Sequence, residues 1–155
     1  MKKVFVMLLA GSLLYACSGG GNDTEKKQDA STTAVTDNPS YDPKRGEGKF
    51  THVEVSDNLD VAKADAGNKV YEVKCAACHK LSTEKLVGPG WSGVAARHAP
   101  EWIMNFITNP DAMLDKDPAA QAQLEICLVR MPNQNLSDED ARNVYEFMRK
   151  NDGVK

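Results

Sequence analysis

The chain is 155 residues long and 26% charged, with a formal net charge of −3. That length leaves room for one small domain, and the mild acidity gives no basic footprint for nucleic acid. An aromatic content of 6% excludes a large aromatic core.

Met1 to Ala16 begins with Lys2 and Lys3, continues through the apolar run Val4 to Ala10 and ends in small residues, the order of a secretory leader. The run is too short to span a bilayer as a mature helix. Leu14-Tyr15-Ala16-Cys17 resembles the bacterial lipoprotein processing box, although Tyr15 is larger than the residue usual there. On this reading residues 1–16 are removed and Cys17 is acylated, which holds the protein at a membrane by burial of the acyl CH₂ groups. The competing reading is an ordinary signal peptide with an incidental Cys17.

Residues 17–60 read as the lipidated Cys and a flexible linker. From Ser18 to about Ser40 there is almost nothing apolar to offset the entropy of ordering. Phe50 to Val55 reads either as a short extended segment on the domain or as more linker, and His52 within it is expected in solvent.

Residues 61–155 form the domain, and its pattern is helical. Gly67, Tyr71 and Cys75 fall four apart on one face of a first helix, with Val70 beside them. Leu86 to Gly93 is turn-rich and irregular. Pro100 opens a helix with the stripe Trp102, Ile103, Phe106 and Ile107, ended by Asn109-Pro110. A loop carrying Met113 follows. Asp117-Pro118 starts a short helix with Ala120, Leu124, Cys127 and Leu128 inward. Ser137 caps the last helix, with Asp140 in capping-box position and Ala141, Val144, Tyr145 and Met148 on its inner face, Phe147 alongside.

Cys75-Ala76-Ala77-Cys78-His79 carries the chemistry. Two thiols three positions apart, followed at once by an imidazole, is the attachment pattern of a c-type haem. Each thiol adds to one vinyl group of the porphyrin, and the His binds iron from below. A thioredoxin-like dithiol is the first competitor, but it wants its leading Cys at a helix N-terminus, and this pair follows a helical stretch. Zinc would need two more ligands, and His52, His98 and Cys127 lack paired spacing. Among the methionines, Met131 precedes Pro132 between two helices and is the candidate sixth ligand, with Met113 its rival. Cys127 is left over, read as a buried small hydrophobe rather than an intermolecular disulfide.

From about residue 62 to 151 the chain resembles the class I c-type cytochromes. The matching features, in order, are Gly67 and Tyr71, the Cys75-to-His79 motif, Gly88-Pro89 with Gly93 and Arg97, Met131-Pro132, and the pair Val144 and Phe147. The resemblance implies an all-α class I cytochrome c fold, with about four short helices wrapped around one covalently bound haem c; the disordered tether that precedes it lies outside the resemblance. It implies His79 and Met131 as axial ligands and a His79 ring bonded to the Pro89 carbonyl. Arg97 would lie near a propionate, or be a plain surface cation, with Trp91 or Trp102 as an indole donor; His98 is expected exposed.

The function so implied is a non-enzymatic carrier of single electrons, which the lipoprotein box at Cys17 would tether to a membrane on the periplasmic side of a bacterial envelope. Its partners would be redox proteins: a quinol-oxidising complex, a terminal oxidase or a reductase. The alternative is a peroxidase-like haem enzyme or gas sensor with a labile Met131. Lys69, Lys74, Lys80 and Lys85 either ring an exposed haem edge or form a solvated face.

Overall fold

The computed structural model describes residues 41–155. The expected leader, Cys17 and the linker up to residue 40 lie outside the described residues. Six helices follow in order: α1 Val61–Lys74, α2 Val94–Arg97, α3 Pro100–Thr108, α4 Pro110–Lys116, α5 Pro118–Cys127 and α6 Asp138–Asn151. None is long and apolar enough to cross a membrane. Among the described residues the single extended pairing is an isolated antiparallel bridge between His79 and Lys85.

The terminal helices form the frame. Asp60 caps α1 by accepting from the Lys63 amide at 3.0 Å, and Ser137 caps α6 by accepting from the Asp140 amide at 3.0 Å. Acids in the first turn of α6 and Arg149 and Lys150 in its last turn complement the helix dipole. The two helices cross at Gly67. A Cβ there would lie 2.0 Å from the Asn143 carbonyl oxygen and 2.9 Å from the Phe147 Cβ, so only a glycine admits this approach. Tyr71 and Phe147 then meet with ring centroids 5.4 Å apart.

Between these helices the chain makes short turns of helix separated by prolines. Pro100, Pro110 and Pro118 each stand at a helix start, where a missing N–H is harmless. Segment 110–116, expected as a loop, is helical: the Asn109 side chain caps it and Met113 turns inward, fully buried. With the four-residue α2 this makes six helices where about four were expected. Leu128, expected on the inner face of α5, is instead its left-handed C-cap at φ 61°, and its side chain is 82% exposed.

Of the two readings of Phe50 to Val55, the structure shows the segment that lies on the domain. Residues 41–60 form a strap whose backbone is satisfied by side chains of the domain. Buried Asn105 accepts from the Phe50 amide (2.8 Å) and donates to the carbonyls of Phe50 and Arg45, both at 3.0 Å. Glu101 accepts from the Val53 amide at 2.8 Å. Arg149 donates to the carbonyls of Ser56 (2.7 Å) and Asp57 (3.1 Å). Phe50, Val53 and Val55 pack on the core. Because the strap covers that side of α6, Glu146 and Arg149 are buried, paired at 2.9 Å, and Arg142 brings a second guanidinium to Glu146 at 2.8 Å. His52 lies in solvent, as expected, beside Glu54.

Candidate haem site

Cys75 is the C-cap of α1, its amide bonded to the Tyr71 carbonyl at 2.9 Å. The chain then tightens: the Cys78 and His79 amides both donate to the Cys75 carbonyl, at 3.0 and 2.9 Å. The three thiols of the described residues are free. Burial pushes the Cys75 thiol up to about 11, the reverse of what a reactive dithiol needs.

The loop after the motif folds back on it. The amides of Val87 and Gly88 donate to the Cys78 carbonyl (3.2 and 2.9 Å), and the Trp91 amide to the Lys80 carbonyl (2.8 Å). These bonds bring Pro89 over the His79 ring, whose Nδ1 lies 2.9 Å from the Pro89 carbonyl oxygen. A carbonyl can only accept, so Nδ1 carries the proton and Nε2 keeps its lone pair for a metal. Burial holds the His79 pKa below the ordinary histidine value, opposed by the bond to Pro89. Gly88 is required here: a Cβ would come within 2.3 Å of the His79 ring. Tyr71 completes the setting by donating its hydroxyl to the His79 carbonyl at 2.7 Å.

His79 and Met131 line the same space. Three adjoining cavities are each bordered by both residues. The first is closed by Phe106, Leu114 and Leu124 beside Cys78, and the third by Leu136 and Val144 beside Cys75 and Cys78. The lining is overwhelmingly apolar, with both motif thiols at its edge. Such a cleft fits a porphyrin held by Cys75 and Cys78, with His79 and Met131 as iron donors. The rival is elsewhere: Met113 lines none of these cavities, and its sulfur accepts from the Glu47 amide at 3.0 Å.

The polar end of the cleft lies at α2. Arg97, His98, Trp91 and Trp102 border the second cavity. Arg97 is exposed and donates to the Ser92 carbonyl at 2.8 Å, which leaves guanidinium donors for a propionate. Trp102 spends its indole N–H on buried Asp117 at 3.0 Å. Trp91 is buried, borders the same cavity and makes no hydrogen bond from its indole among the described residues, so its N–H is the uncommitted one. His98, expected exposed, is half-buried and stacks on Trp102 at 3.9 Å. Burial, then Arg97, lowers its pKa.

Several contributors were not anticipated from the sequence. Gln123 borders two of the cavities, and its signal lay in the register Ala120, Gln123, Leu124, Cys127 along α5. Cys127 is half-buried and borders the cleft beside Cys78, rather than lying in the core. Asp152 accepts from the amides of Gly93 (2.6 Å) and Ala95 (2.8 Å), capping α2 from the far end of α6. No local pattern announces that bond.

The comparisons with known proteins agree with this geometry. A model of the family described as Cytochrome c matches residues 64–152. A cytochrome c from Rhodothermus marinus is 30% identical, with a TM-score of 0.66 over 68% of this chain and 90% of that one. An engineered form of the Rhodothermus marinus protein is 29% identical, with a TM-score of 0.68 over 72% and 98% of the two chains. The same engineered protein bound to a carbene intermediate gives a TM-score of 0.65 at 29% identity over the same shares. No curated protein matches the chain. A cleft that puts a CxxCH motif, a carbonyl-bonded His79 and Met131 around one apolar space, in a chain matched over its helical domain, makes this protein a member of the cytochrome c family.

Proposed function

We propose that the chain is a single-haem carrier of one electron at a time, anchored through acylated Cys17 on the periplasmic side of a bacterial envelope, and that it is not an enzyme. Membership of the cytochrome c family makes it an electron-transfer haem protein; the haem number, anchor and partners belong to the proposal. The observation that supports it best is the shared space of His79 and Met131. If His79 and Met131 both ligate the iron, a substrate would find no open site on the metal. When bound, the haem supplies a ferric–ferrous couple. The residues that would hold it are Cys75 and Cys78 through their thiols, His79 in the tautomer set by Pro89, and Arg97 and Trp91 at the propionates.

The test is a spectrum of the reduced protein with and without carbon monoxide. A six-coordinate carrier leaves the spectrum unchanged, whereas ready carbon monoxide binding would replace this reading with a peroxidase-like enzyme or gas sensor. Acid–acetone extraction should leave one haem per chain on the polypeptide. Cys17→Ser should release the redox-active domain from membranes; retention after a salt wash would remove the anchor from the proposal. Turnover by a membrane oxidase or reductase then names the partner.

A further inference from the structure

Met131 lies between α5 and α6, in a stretch with no helix of its own. Among the described residues, no main-chain group from 129 to 136 is bonded to another main-chain group. Pro132, next to Met131, has no N–H to offer. A segment without such bonds opens as a local unit, so its few side-chain ties decide how often it leaves its place.

Two of those ties flank the candidate ligand. One residue before it, the Arg130 guanidinium meets Asp111 at 3.1 Å and Asp115 at 3.3 Å, both on α4. Two residues after it, the Asn133 side chain donates at 3.3 Å to the carbonyl of Thr108, the last residue of α3, where carbonyls lack intrahelical partners. Both ties run to one corner, where α3 meets α4. The remaining bonds lie downstream or are local: Lys74 donates to the Gln134 carbonyl, Gln134 to the Pro132 carbonyl and the Asn135 amide to Asn133.

The corner is secured from its other side by the strap. Glu47 pairs with Lys116 at 3.2 Å, the Glu47 amide donates to the buried Met113 sulfur at 3.0 Å, and Asn105 of α3 binds the strap at Phe50 and Arg45. The Met131 turn therefore hangs from a bracket whose own support lies elsewhere in the fold. An exposed ion pair adds little to the unfolding free energy of a domain. Set against a local opening that disturbs little else, the same contribution becomes a large share of what keeps Met131 in the cleft.

We infer that Arg130 and Asn133 are positioning residues for the Met131 thioether, clamping both ends of its turn to the α3–α4 corner. This rests on Met131 as the sixth ligand, which belongs to the carrier reading. The clamp is then what separates a closed electron carrier from a haem that admits small ligands.

Cyanide binding to the ferric holoprotein tests the clamp, because at saturating cyanide the rate reads how often Met131 leaves. Arg130→Gln and Asn133→Ala should each raise that rate about threefold or more, with urea midpoints unchanged from the parent. Asp111→Asn with Asp115→Asn should match Arg130→Gln, and joining all three should add nothing further. Lys150→Gln removes another exposed pair, with Asp65 at 2.7 Å between α6 and α1, and should leave the rate as it is. Arg130 and Asn133 variants that match Lys150→Gln would overturn the assignment. So would full additivity between Arg130→Gln and the α4 acids, or a faster rate that comes only with an equal loss of urea stability. Ready carbon monoxide binding by the reduced parent, or a methionine–ferric far-red absorption that survives Met131→Ala, strikes the ligand reading itself and is seen before any cyanide rate is measured.

Discussion

Trp102 and Asp117 form a buried pair, indole N–H to carboxylate at 3.0 Å, and the same carboxylate receives the Tyr41 hydroxyl and the Ala120 amide. One carboxylate thus holds the first residue of the strap, the stripe of α3 and the start of α5. Asp117→Ala would leave three donors without their acceptor. With about 1–3 kcal/mol lost for each group stranded in the interior, the variant should lose at least ~2 kcal/mol in urea unfolding. Trp102→Phe should shift the reduction potential less than Trp91→Phe, since only the Trp91 indole is uncommitted.

Met131 and Met113 separate by measurement. Met131→Ala should open the sixth position, giving carbon monoxide binding and loss of the weak far-red absorption of a methionine–ferric pair. Met113 is fully buried, and Gly46 lies against its thioether. Met113→Ala should therefore cost about 2–5 kcal/mol as a cavity and keep that absorption. The reverse result would exchange their roles.

Gly67→Ala should destabilise by about 1–3 kcal/mol through overpacking, because the new methyl meets the backbone of α6, which cannot rotate aside. Gly153→Ala, with nothing within 4 Å, serves as the comparison: it bears only the strain of its positive φ. A Gly67→Ala protein as stable as the parent would mean that α1 and α6 slide apart without cost.

His98 gives the stability a pH dependence. Its folded pKa lies below the ordinary 6.5 because it is buried and faces Arg97, with Asp117 opposing. As pH falls through 6.5 the unfolded chain takes up a proton that the folded chain still refuses. The unfolded state then binds more protons, so stability falls from neutral pH toward the folded pKa. His98→Gln should flatten this part of the profile of denaturation midpoints. His79 is common to both proteins, and exposed His52 shifts upward beside Glu54 in both, so the difference reports residue 98.

The strap predicts a boundary effect. A chain beginning at Val61 contains the whole family match, yet it loses the covering of Glu146 and Arg149 and the partners of Asn105. It should unfold at distinctly lower urea than a chain beginning at Tyr41. Equal midpoints would show that the strap is decoration.

The frame was readable because it is periodic. α3 and α6 carry stripes long enough to register, and their start signals, Pro100 at the first helical position and Ser137 at the N-cap, are local. Pairing of His79 with Pro89 came from the family motif, and the structure brings the two together at 2.9 Å. α4 escaped because seven residues between prolines hold too few turns for a stripe. The burial of Glu146 and Arg149 has no local signal, since nothing in α6 reveals that residues 56 and 57, some ninety positions away, will cover them. Leu128 was misplaced by one residue of helix: α5 stops at Cys127, and the left-handed turn swings the next side chain outward.

Asn105 behaves toward Phe50 as a neighbouring β-strand would. Its amide group accepts from the Phe50 N–H and donates to the Phe50 C=O, with a further bond to Arg45. A side chain thereby supplies one rung of a sheet that the helical domain does not otherwise possess. Recognition at that rung runs through main-chain atoms, so it is blind to what residue 50 is. The contact therefore fixes the strap's register independently of the packing of Phe50 on the core. The constraint falls wholly on position 105: aspartate would set a carboxylate against two carbonyl oxygens, and leucine would strand all three groups.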